Sequence, residues 1–302
     1  MAPANAMILC NEACRNDDVS LMEQAILVAL QPESRHAVED IIQRGIRRSA
    51  ARGSVDVLRY VLDHGADVDK LIAKDIMIDD EPLKPSIEVL EMLLAHGWDV
   101  NNRGDSWPLL RFVVAYPDLV EWCMDHGANI DVPDPALRLN PDGSEGRLSR
   151  PRPTILGAAA SSGSIDTFEL LRKKGAALDR RTLHMAVERA AMLAPKESND
   201  YSQLYKDRFA MVLHLVNVVE LDVNAKEHYV GDLCTTALCY IARRPTSEGH
   251  RELLEFLLNR GADPELDCGQ AGDIDWPSPI ACARSCGNSN FLKFVQEWRG
   301  RQ

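Results

Sequence analysis

The chain has 302 residues, 45% hydrophobic and 26% charged, with 18 Gly and 16 Pro. These values describe a chain that can bury a core, and they exclude disordered, collagenous and low-complexity classes. Length alone suggests about two domains of roughly 150 residues. The net charge of −12 and the pI near 5.2 oppose a phosphate-binding surface, so nucleic acid is not an expected partner. No run of about 18 apolar residues occurs, so no membrane partner is expected. Residues 1–5 lack the basic stretch of a secretion signal, and the eight cysteines are scattered. Both features point to reduced thiols in a cytoplasmic protein, with the nucleus also open.

Along the chain one short segment keeps returning: Gly65-Ala66-Asp67-Val68-Asp69, Gly97-Trp98-Asp99-Val100-Asn101, Gly127-Ala128-Asn129-Ile130-Asp131, Gly175-Ala176-Ala177-Leu178-Asp179 and Gly261-Ala262-Asp263-Pro264-Glu265. Each follows an apolar stretch. Gly53, Gly163 and Gly249 stand twelve positions before Gly65, Gly175 and Gly261. Between them lie apolar doublets four apart, such as Val57-Leu58 with Val61-Leu62 and Leu253-Leu254 with Leu257-Leu258. That spacing builds one wide apolar helix face. The closing glycine suits the left-handed backbone that ends a helix. Shorter helices rich in small residues are predicted at 154–160, 182–186, 236–242 and 278–283. In them Thr or Ser is placed to cap the first turn, Pro279 fits the first helical position, and alanines keep the helix slim.

At these residues the chain resembles the ankyrin repeat family, whose pattern is Thr-Pro-Leu-His-x-Ala, then a second helix and Gly-Ala-Asp. The resemblance spans nearly the whole chain. It implies an all-α fold, an ankyrin-repeat solenoid of stacked helix pairs with projecting loops, in a single domain over 1–302. The repeats fall at 5–35, 44–75, 76–105, 106–131, 153–180, 181–225, 235–265 and 277–302. The sixth keeps His184 but has Glu220-Leu221 where Gly-Ala would stand, and the last reads as a polar cap. His184 matches the buried His of the family pattern; Arg47, Leu110, Gly157, Cys239 and Ala281 occupy that position elsewhere. A long insertion covers 132–152, and 191–207, 225–234 and 264–277 lengthen other connections. Each extra stretch either carries function or is tolerated drift in a surface loop.

The resemblance also implies a partner surface on the concave side, made by the first helices and the projecting fingers. The helix positions facing it include Arg52, Glu188, Arg189, Arg243 and Arg244. The finger positions include Arg103, Arg150, Arg152, Asp232 and Trp276. These positions are richer in Arg than in acids, unlike the chain as a whole. Arginine suits bidentate contact with carboxylate, so an acidic segment of a protein partner is expected there. The opposing reading is that arginine at helix ends solvates the surface and complements the helix dipole.

Other chemistry is sparse. Cys10/Cys14 and Cys282/Cys286 are four apart but have no His at ligand spacing, so they read as small packing residues, and no metal is expected. His64, His96 and His126 precede closing glycines, where they favour a helix C-terminus. Trp122 falls on an apolar helix face, while Trp107 and Trp276 suit finger packing or anchoring of a partner. Gly143-Ser144-Glu145-Gly146 lacks the Lys and spacing of a P-loop, and Ser162-Gly163-Ser164 lies at a helix–loop junction. Asp17-Asp18 and Asp79-Asp80-Glu81 lack calcium-loop spacing. No catalytic residue and no cofactor is assigned.

The expectation is a monomeric protein-interaction module, not an enzyme, that binds a protein partner on its concave groove and loop tips. The alternative is a diverged ankyrin scaffold whose insertions at 132–152, 191–207 and 225–234 roof a small-molecule pocket or an active site. His184, Glu188, Tyr229 and Asp232 would be its polar residues.

Overall fold

The computed structural model describes residues 5–77, 84–104, 106–130, 154–179, 181–196, 202–229, 232–268 and 278–302. Two compact units divide at Asn129/Ile130. The first unit pairs α1 (Ala6–Asn16) with α2 (Val19–Ala29), α3 (Val38–Arg52) with α4 (Val55–Asp63), and α7 (Leu109–Phe112) with α8 (Pro117–Asp125), while α5 (Ala73–Met77) packs on α3 and α7 and α6 (Ile87–Ala95) packs on α4. The second pairs α9 (Ile155–Ser162) with α10 (Ile165–Lys173), α11 (Thr182–Leu193) with α12 (Gln203–Asn217), α13 (Ala237–Ala242) with α14 (Arg251–Asn259), and α15 (Pro279–Ser285) with α16 (Ser289–Arg299). Within each unit the first helices pack in series: α1 on α3, α5 and α7, then α9 on α11, α13 and α15. The departure from an all-helical chain is an antiparallel hairpin, β1 (Glu227–Tyr229) with β2 (Asp232–Thr235), inside the lengthened 225–234 connection. No helix among the described residues is long and apolar enough to cross a membrane.

The apolar doublets form the core. Val57, Leu58, Val61 and Leu62 are buried on α4, and Leu253, Leu254, Leu257 and Leu258 on α14. Alanines 158–160 of α9 are buried as well, so α9 and α11 can pack closely. Thr154 and Ser278 cap as expected, accepting from the N–H of Gly157 and Ala281 at 3.2 Å each. Thr236 makes no such bond, and Thr182 lies inside α11, donating its hydroxyl to Asp179 Oδ1 at 2.9 Å. The same Asp179 carboxylate takes the N–H of Arg181 at 3.0 Å and of Thr154 at 3.1 Å. Asp179 thus ties the start of α11 to that of α9 in place of the cap expected from the threonine.

The closing segments share one backbone device. Gly65 has φ +87°, and Ala66 N–H reaches back to Val61 O at 3.0 Å. The same bond recurs at Trp98, Ala128, Ala176 and Ala262. In the sixth repeat Glu220 adopts φ +61°, so the left-handed turn persists without glycine. The upstream glycines differ from one another. Gly53 ends α3 at φ +76°, Gly163 is extended, and Gly249 lies buried in a 3-10 turn beneath the connection that follows α11. Their shared twelve-residue spacing therefore conceals three separate roles.

Side chains complete the joints. His64, His96 and His126 donate a ring N–H to the carbonyls of Tyr60, Met92 and Trp122 at 2.7–2.8 Å, closing three helix ends. Asn101 donates to Gly127 O at 3.0 Å and accepts from Asn129 N–H at 2.7 Å. Asn224 repeats this on Gly261 and Asp263, at 2.8 Å each. One side-chain amide thus pairs consecutive fingers as a strand neighbour would.

Candidate functional site

Three of the expected binding residues meet in the second unit. Glu188 lies on α11, Arg243 caps the C-terminus of α13, and Arg244 follows it. Because α11 and α13 pack side by side, Glu188 Oε1 accepts from Arg244 at 2.9 Å and from Arg243 at 3.3 Å. The Arg243 guanidinium also lies over the Tyr240 ring, 3.9 Å from its centroid, a contact worth about 0.5–2 kcal/mol. Tyr240 is buried and meets the His184 ring edge-on at 5.9 Å. His184, 1% exposed, donates Nε2–H to Thr235 O at 3.0 Å, which joins α11 to the end of β2. His184 is thus a buried packing residue, as its match to the family pattern implied.

The electrostatics of this cluster favour an added anion. Two guanidinia share one carboxylate, leaving an excess positive charge on groups that stay partly open to water. Each guanidinium carries five N–H donors in a flat fork, more than Glu188 can satisfy. A further carboxylate has bidentate donors to meet.

The other expected residues are dispersed. Arg189, half-buried on α11, lies near Arg208 of α12. Asp232 begins β2, and Tyr229 ends β1. Arg52 ends α3, and Arg103 lies in the connection before α7, both in the first unit. Arg150, Arg152, Trp276 and the 132–152 insertion lie outside the described residues. Trp107 is overlaid by the Arg111 guanidinium at 3.8 Å, whereas Trp122 is buried and donates to Glu91 at 2.6 Å.

Sequence reasoning missed Tyr240 and a second charged surface. In the first unit an open groove of about 580 Å³ lies along α3, with Met7 of α1 on one side and α5 on the other. Arg44, Arg47 and Arg48 line it from α3, Lys74 and Asp75 from α5, with His36 and Asp40 at one end. Arg44 donates to Asn11 Oδ1 at 2.8 Å, and Arg47 stands 3.6 Å from Asp75. The signal was present: residues 44, 47, 48 and 52 have the i, i+3, i+4, i+8 spacing of one helix face. Matching Arg47 to the family's His position disguised it as an isolated replacement.

The buried cysteines, Cys282 among them, serve packing, whereas Cys286, expected to do the same, does not because it lies exposed past the last turn of α15. Cys10 and Cys14 are buried, donating Sγ–H to Ile41 O at 3.6 Å and Gly45 O at 3.7 Å, which seats α1 on α3. Burial pushes the Cys123 thiol up to about 12, so it stays protonated and unreactive at neutral pH. Among the described residues no group of His, Cys, Asp and Glu could hold a metal ion. No family model matches the chain, and no curated protein matches it.

Proposed function

We propose that the chain is a diverged ankyrin-repeat protein, its eight helix pairs degenerate repeats of one domain, acting as an interaction module for a protein partner with an acidic segment. The left-handed closing turns and the amide bonds between fingers support the family reading. The observation that carries the binding reading is Glu188 held between Arg243 and Arg244 on adjoining first helices. A partner carboxylate enters beside Glu188 or in its place, and Tyr240 keeps Arg243 flat for a bidentate grip. Asp232, at the start of β2 in the same unit, is assigned to the rim of this contact.

The test is affinity capture from the native source, with the wild-type chain beside Arg243→Glu/Arg244→Glu. The double variant is expected to lose the partners while its circular dichroism spectrum stays unchanged. Glu188→Gln, which removes the internal competitor, is expected to tighten binding at least threefold. Capture of the same partners by the double variant would overturn this mapping.

A further inference from the structure

We propose that the groove along α3 is a second binding site, for an extended acidic peptide segment with carboxylates two residues apart. This rests on the interaction-module reading but not on the α11–α13 cluster. The charge distribution is the first argument. Residues 1–129 hold 12 Lys or Arg against 22 Asp or Glu, so the first unit is strongly acidic. Among the described residues its groove reverses that balance, gathering Arg44, Arg47, Arg48 and Lys74 against Asp40 and Asp75. Cations converging on one concave surface focus a positive field there.

The cluster is also costly to assemble. Arg44 and Arg48 are like charges one helical turn apart, a destabilising arrangement on an isolated helix. Asp75 offsets Arg47 through a 3.6 Å contact between an exposed guanidinium and a half-buried carboxylate, which is long for an ion pair. Lys74 is exposed and has no ion-pair partner among the described residues. An anionic ligand brings further counter-charge to these cations on binding.

Register selects the ligand. Arg44 and Arg48 are separated by about 6 Å along the helix axis. An extended peptide places side chains i and i+2 on one face, about 6.6 Å apart. Two carboxylates so spaced can lie along α3 beside Arg44 and Arg48, with Arg47 and Lys74 flanking them. The groove volume of about 580 Å³ suits a short segment. A nucleic acid strand would run on past the groove over a unit whose remaining surface repels phosphate.

The experiment is fluorescence anisotropy with a labelled nonapeptide bearing Asp or Glu at every second position, its Asn/Gln counterpart, and a single-stranded oligonucleotide of equal charge. The full chain carries Arg243→Glu/Arg244→Glu throughout, which silences the other cluster and separates failure here from failure there. The acidic peptide is expected to bind at least tenfold tighter than its amide counterpart and than the oligonucleotide. Adding Arg47→Glu/Arg48→Glu should weaken it at least tenfold. Should that variant misfold, Arg44→Gln/Lys74→Gln should weaken it at least threefold with an unchanged melting curve. Equal binding of the amide peptide, stronger binding of the oligonucleotide, or indifference to the folded groove variants would overturn the proposal.

Discussion

Gly249 lies so close beneath the Pro195 carbonyl oxygen that a Cβ on it would overlap that atom. Ser247 donates its hydroxyl to the same oxygen at 2.7 Å, and His250 donates Nε2–H to Ala191 O at 3.0 Å. The lengthened connection after α11 is thereby fastened to the turn that leads into α14. Gly249→Ala would set side chain against backbone, which cannot swing aside, at a cost of about 1–3 kcal/mol. The urea midpoint is expected to fall accordingly, and an unchanged midpoint would show that the connection is not fastened over Gly249.

Glu220 invites the opposite change. It holds φ +61°, a conformation costing an L-residue roughly 1–2 kcal/mol, and its side chain is exposed. Glu220→Gly relieves that strain but loosens the unfolded chain, for a net gain of about 0.5–1 kcal/mol. Chemical denaturation of the two proteins side by side gives the sign directly.

Arg208 is 6% exposed, and its Nε and Nη1 have no hydrogen-bond partner among the described residues. Burial holds the guanidinium below its ordinary range against the opposing charge of Asp207, and the nearby charge of Arg189 adds to the effect. An unpaired buried charge is destabilising, and apolar replacement of similar length removes the penalty. Arg208→Met is expected to raise stability by about 1 kcal/mol, seen in calorimetry as a melting point higher by a few degrees. A lower melting point would show that the guanidinium is compensated after all.

His250 should make stability sensitive to mild acid. Its Nδ1 accepts from Ser247 N–H at 3.1 Å while Nε2–H donates to Ala191 O, an arrangement that needs the neutral ring. Burial lowers its pKa below the ordinary 6.5, outweighing its backbone hydrogen bonds. The unfolded chain therefore takes up a proton that the folded one resists, so stability falls as pH drops through 6.5 and levels off below the folded value. The lowered carboxylates Glu169, Glu248 and Glu297 act in a more acid range, as pH falls below about 4.5. Between pH 7.5 and 5.5 the melting temperature should fall, and His250→Gln should flatten that slope.

The sequence made legible whatever runs along a single helix. The doublets on α4 and α14, the closing turn at Gly65, the caps at Thr154 and Ser278, and the histidine-closed helix ends all follow from local spacing and backbone chemistry. Contacts that depend on how far a connection reaches across its neighbour stayed hidden. Gly249 reads as one more turn glycine until Pro195 is laid over it, and the 225–234 connection gives no alternating pattern to betray a hairpin. At the α11–α13 cluster the three charged residues could be nominated, but Tyr240 beneath Arg243 could not, because its ring belongs equally well to an apolar helix face.

The amide clamps at Asn101 and Asn224 have a mechanical consequence. Each pins two consecutive finger tips through a pair of bonds supplied by one side chain, so neither tip can swing alone. Pull on one is shared with its neighbour as shear, and the tips yield together, like slats riveted to a common rail. Cutting either rivet by Asn→Ala would free a single joint while leaving the helices behind it in place.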